Sequence, residues 1–119
     1  METVTGDNLQ AQMRKGILEY CILLILSKDE ASYASSIIAE LKNAQMIVVE
    51  GTLYPLLTRL KNQGLLKYRW EESAQGPPRK YYSLTDRGVV ILNEWNHSWR
   101  NMVASINHIR EQAKNRESL

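Results

Sequence analysis

Cysteine is almost missing from this 119-residue chain: Cys21 stands alone, so no disulfide can close within one molecule. Cys21 lies in the apolar run from Ile17 to Leu26, where a thiol packs like a small hydrophobe. A long hydrophobic run is missing too. The Ile17 to Leu26 stretch contains Glu19 and falls far short of the roughly 20 apolar residues that span a bilayer. Nor does it read as a secretory leader, because a long polar stretch precedes it, Ser27-Lys28-Asp29-Glu30 follows, and an A-x-A-like cleavage pattern is lacking. A cytoplasmic location with no membrane partner is expected. With only three prolines, 44% apolar and 24% charged residues, the composition excludes the disordered and fibrous classes.

The residues that enzymes need are equally sparse. His97 and His108 are the two histidines, both placed on a surface helix, and no metal is expected there. The six glycines are scattered, with no glycine-rich phosphate loop. Glu71 and Glu72 are neighbours on a predicted strand, so they face opposite ways and cannot share acid and base work. No catalytic residue and no cofactor is expected. The net charge of +2 permits nucleic-acid binding without arguing for it, so the placement of charge has to decide.

What is present is periodicity. Leu9, Met13, Ile17, Tyr20 or Cys21, and Leu24 recur at three- and four-residue steps, predicting a helix from Asn8 to Leu26 whose second half is apolar nearly all round. Ser32 is a candidate cap for a second helix to about Asn43, with Ile37, Ile38 and Leu41 inward. A third helix is predicted from about Glu50 to Gln63, carrying the stripe Leu53, Leu56, Leu57, Leu60, and Gly64 stops it. Leu65 to Glu72 alternates, with Leu66, Tyr68 and Trp70 expected inward and Lys67, Arg69 and Glu71 outward. Residues 73 to 78 are dense in turn formers, and Arg79 to Leu84 completes a hairpin.

Thr85 and Asp86 open a last helix. Its Leu92, Trp95, Trp99, Met102, Ile106, Ile109 and Ala113 step by three and four, the spacing of a coiled-coil seam. One domain of this size has little left to cover such a seam, so a homodimer is expected with Leu92, Trp95, Trp99, Met102, Ile106 and Ile109 in its interface. The fold class is thus mainly α with a small β-hairpin: a winged helix-turn-helix unit over residues 8–84 and a dimerisation helix over 85–115. That helix is expected to pack with residues 8–26 of the partner, making one compact unit.

Turning the leucine stripe of the third helix inward leaves Thr52, Tyr54, Pro55, Thr58, Arg59 and Asn62 outward. A tyrosine and a proline on a solvent face suit a helix that enters the major groove, where Tyr54, Thr52 and Pro55 meet base edges and Arg59 meets guanine or phosphate. Tyr33, Ser35 and Ser36 at the start of the second helix suit a phosphate oxygen. Between Glu50 and Tyr82 there is a local excess of three positive charges. Gly76 with Pro77 and Pro78 stiffens the wing tip, and Arg79 and Lys80 behind it reach backbone or minor groove. Tyr81 and Tyr82 are assigned to the sheet and its contact with the second helix.

The motifs Glu50-Gly51-Thr52-Leu53-Tyr54-Pro55-Leu56-Leu57-Thr58-Arg59-Leu60, Gly64-Leu65-Leu66, Gly76-Pro77-Pro78-Arg79-Lys80-Tyr81-Tyr82 and Leu84-Thr85-Asp86-Arg87-Gly88 resemble those of the PadR-like family of bacterial transcriptional regulators. The resemblance runs from about Met13 to Met102 and is to the smaller subgroup with a single C-terminal helix. It implies a sequence-specific DNA-binding regulator, a ligand-responsive repressor acting as a homodimer on an inverted-repeat operator of double-stranded DNA. It also implies a planar aromatic small-molecule effector, since some members sense aromatic drugs or phenolic acids between paired tryptophans. Trp95 and Trp99 are read first as dimer core, being large apolar residues at seam positions; the alternative is that, with Tyr20 and Leu24, they form that ligand site. Two positions depart from the family pattern: Val49 stands where many relatives carry a capping serine or asparagine, and Ala34 replaces a glycine. Two rival functions share the composition, a winged-helix module that binds proteins and never reads DNA, and a small-molecule carrier.

Overall fold

The computed structural model describes residues 17–117. The expected helical turns from Asn8 to Gly16 lie outside them. Helix α1 spans Leu18–Asp29 and buries Leu18, Ile22, Leu23 and Leu26. Glu30 ends it at φ 66°, and the chain turns into a three-residue strand, β1, Ala31–Tyr33.

Strand β1 is a correction to the sequence reading. Ser32 does not cap a helix; it is 5% exposed within β1, opposite Tyr82. The hydroxyl instead donates to the Tyr33 carbonyl at 3.4 Å. Three residues are too few for a period-two pattern to stand out, and a serine before an apolar stretch reads as a cap. Helix α2, Ala34–Asn43, follows with Tyr33 as its uncapped first neighbour. It closes in a Schellman turn: Gln45 takes φ 65°, the Met46 N–H bonds the Leu41 carbonyl at 2.7 Å and the Gln45 N–H that of Lys42 at 3.0 Å.

Helix α3, Glu50–Asn62, buries Leu53, Leu57 and Leu60. Val49 precedes it in extended conformation and makes no side-chain capping bond. A second Schellman turn ends α3. Gly64 adopts φ +79°, and the Leu65 N–H reaches the Leu60 carbonyl at 3.0 Å. Strands β2, Leu66–Ser73, and β3, Gly76–Leu84, form the hairpin, and β1 joins the far side of β3, giving the antiparallel order β1-β3-β2. The turn expected over residues 73–78 shrinks to Ala74 and Gln75. Pro77 and Pro78 are tolerated in a central strand because β1 pairs only with residues 81 to 83 of it.

Helix α4 spans Asp86–Glu117 and lengthens the molecule to 63 Å against 33 and 26 Å in the other directions. Thr85 secures its start twice, accepting from the Gly88 N–H at 2.9 Å and donating to the Gly64 carbonyl at 2.6 Å. The core is aliphatic: Ile22, Leu23, Leu26, Ile37, Leu41, Leu53, Leu57 and Leu60 are fully buried, with Tyr82 at the sheet. Leu92, expected in the seam between subunits, is only 4% exposed and belongs to this core. A three-four stripe gives the face of a helix but not where along its length one neighbour gives way to the next. Among the described residues, no helix is long and apolar enough to cross a membrane.

Candidate nucleic-acid interface

The leucine stripe of α3 anchors one side of that helix, and the opposite side carries Thr52, Tyr54, Pro55, Thr58, Arg59 and Asn62, all exposed. Pro55 sits inside the helix rather than in its first turn. Having no N–H, it leaves the Gly51 carbonyl without its helical donor on this face. Beside α3, the exposed Ser35 and Ser36 open α2, and half-buried Tyr33 joins them through β1.

The hairpin flanks this helix pair. On one of its faces Arg69, Tyr81, Tyr33 and Arg79 form a stack: Arg69 lies 4.8 Å from the Tyr81 ring, the two tyrosines 4.7 Å apart, and Arg79 4.0 Å from Tyr33. Glu71 holds Arg69 at 2.5 Å and raises its pKa. On the other face Lys80 lies over Tyr68 at 4.5 Å and over Trp70 at 5.5 Å. Cations seated on aromatic faces keep their charge while their stems are held in place. Burial pushes the Tyr82 phenol up, so it stays neutral beneath them.

Sequence reasoning missed Trp70. The alternation placed it inward with Leu66 and Tyr68, yet it is 62% exposed, because β2 runs on past the body that covers Leu66. Alternation names a face; it does not say whether anything covers it. Trp70 instead walls a cleft of about 350 Å³ with Tyr33, Ser35, Glu50, Tyr54 and Lys80, between the wing and the two helix starts. The order α2, turn, exposed α3 and a cation-bearing hairpin defines a winged helix-turn-helix DNA-binding protein.

The second expected site is brought together only in part. Tyr20, Trp95 and Trp99 line one pocket of about 300 Å³ with Ile17, Ser98 and Met102. The Tyr20 and Trp99 rings are 6.0 Å apart, and the Tyr20 hydroxyl donates to Asn96 Oδ1. Leu24 does not take part. It lines a separate groove with Cys21, Ile25, Lys28, Glu40 and Met46, one helical turn, about 6 Å, further along α1 from Tyr20. Further along α4, Met102, Ile106 and Ile109 are exposed in line with Trp99; Val89 and Val90 nearer its start are also exposed, Val90 on the opposite side of the helix. Arg59 is not a free cation, being ion-paired with Glu19 of α1. His97 contacts Asn101 at 3.3 Å, and the described residues contain no cluster of three or more metal-ligating side chains.

Comparison with known proteins agrees with this geometry. Residues 22–94 match the transcriptional regulator PadR-like family. A PadR-like transcription factor from Bacteroides fragilis is similar at 62% identity and a TM-score of 0.73, over 86% of this chain and 98% of that one. A PadR-like transcriptional regulator from Bacillus cereus is 38% identical with a TM-score of 0.73, over 82% and 95%. An uncharacterized protein of Lysinibacillus sphaericus is 31% identical over 76% of this chain and 85% of its own. The chain belongs to the PadR-like family of transcriptional regulators, a non-enzymatic family of DNA-binding proteins.

Proposed function

We propose that the protein is a homodimeric repressor that seats one α3 in each half of an inverted-repeat operator and is released or tightened by a planar aromatic effector. The observation that carries the DNA part is the outward face of α3, six exposed side chains with a tyrosine and a proline among them, flanked by Arg79 and Lys80 of the wing. Thr52, Tyr54 and Pro55 would meet base edges and thymine methyls, Thr58 and Arg59 the next turn of the groove. Tyr33, Ser35, Ser36 and Gly76, with the wing cations, would hold the phosphates. The apolar line Trp99, Met102, Ile106 and Ile109 supports the dimer, with Trp95 at its inner end, and the pocket of Tyr20, Trp95 and Trp99 supports the effector.

Binding to the duplex upstream of the protein's own gene, against a scrambled duplex and over a salt series, tests this reading. Selective binding that weakens steeply with salt is expected, because neutralised phosphates release counterions. Removing Arg79 and Lys80 together should flatten the slope of log affinity against log salt by about 0.9 per lost phosphate contact. Salt-insensitive or absent binding to both duplexes would refute it in favour of a protein-interaction module.

A further inference from the structure

Arg59 belongs to two surfaces at once. It lines the outward groove of α3 with Tyr54, Pro55, Thr58, Asn62 and Gln63, and it also lines the aromatic pocket with Tyr20, Trp95 and Trp99. What turns it towards the pocket is Glu19, whose carboxylate pairs with the Arg59 guanidinium. The partners are unequally placed: the Glu19 side chain is 16% exposed and the Arg59 side chain 62%. The carboxylate is therefore the fixed member, set in the first turn of α1, and the arginine the one able to leave. Because the guanidinium end is mostly solvated and screened, a phosphate or a guanine edge can compete for it.

We infer that Glu19 is a positioning residue for DNA binding, a latch that withholds Arg59 from the operator in the free protein. The inference rests on the proposed contact of Arg59 with DNA. Each subunit must break one internal ion pair to seat α3, and this lowers affinity for every duplex. The same exchange joins the two surfaces: a molecule in the aromatic pocket lies against the pair, so pocket and groove draw on one guanidinium. By linkage, whatever favours the Glu19 pairing disfavours DNA, and DNA disfavours it in return.

The test compares the intact chain, Glu19→Gln, Arg59→Ala and the double variant on the upstream duplex over a salt series. With an exposed pair's usual strength, Glu19→Gln should tighten binding about threefold per recognition helix, and so about tenfold for a two-armed complex. The salt slope should stay close to that of the intact chain, because Arg59 reaches the DNA in both proteins and the number of neutralised phosphates is unchanged. The gain should vanish when Arg59→Ala is added. If Arg59→Ala weakens binding while Glu19→Gln leaves it unchanged or weaker, the arginine touches DNA and the latch is refuted. Should Arg59→Ala change nothing in either background, the contact and the latch fall together. Failure of the intact chain to bind either duplex would overturn the DNA reading itself, and the latch with it.

Discussion

Gly88 lies directly beneath Leu65: a Cβ built on Gly88 would stand 2.2 Å from the Leu65 carbonyl oxygen. That oxygen already accepts from the Thr85 N–H at 3.1 Å, so it is held and cannot give way. The contact seats the first turn of α4 against the strand that leaves α3, and it sets the direction of the long helix. Gly88→Ala gains helix propensity of about 1 kcal/mol but forces backbone apart, and overpacking typically costs about 1–3 kcal/mol. A net loss of stability is expected, seen as a lower Tm by circular dichroism. An unchanged or higher Tm would mean that α4 shifts freely.

Val49 occupies the capping position of α3 in an extended conformation, makes no capping bond and is largely exposed. Val49→Ser therefore adds a hydroxyl acceptor for the free N–H groups of the first turn at little apolar cost. The expected gain is about 1 kcal/mol, a rise in Tm of a few degrees. Faster amide exchange over Glu50 to Leu53 in the variant than in the original would contradict it.

Ile106 is exposed on α4 at 49%, midway along the proposed seam. A glutamate there would bury two unpaired charges in a dimer at no cost to the monomer's own core. Ile106→Glu is expected to raise the dimer dissociation constant at least about a hundredfold. Sedimentation velocity should then show a monomer with unchanged helicity; an intact dimer would place the interface elsewhere.

Burial pushes the Cys21 thiol up, and Met46 lies 3.9 Å from its sulfur. Because the thiolate is the reactive form, alkylation by iodoacetamide near neutral pH should be slower in the native protein than in urea. A raised native pKa means the thiol's contribution to stability is complete below the unfolded pKa. It is lost as pH rises through the native value, on the alkaline side. Cys21→Ala should flatten that alkaline decline in unfolding experiments. Equal alkylation rates in the folded and unfolded chain would contradict the shift.

Much of the proposed DNA-facing region was legible before any coordinates. The leucines of α3 repeat at helical spacing, so burying them dictates that Thr52, Tyr54, Pro55, Thr58 and Arg59 face outward, whatever lies nearby. Gly64 and Thr85 mark real helix boundaries because left-handed φ and side-chain capping are local demands met by few residue types. Strand β1 was not legible, since three residues owe their conformation to pairing with β3 rather than to any pattern of their own.

What the sequence determined, then, was each element's type and the face it turns inward, because periodicity and caps act within a few residues. The tertiary structure alone decided how far cover extends. It left Trp70 bare at the wing and enclosed Leu92 in the core, although both occupy inward positions of their own patterns. It also carried Leu24 away from the tryptophans and brought Glu19 to Arg59 across forty residues of chain. Such meetings depend on the angles at which helices cross and on where neighbouring elements end, and no stretch of sequence records these by itself.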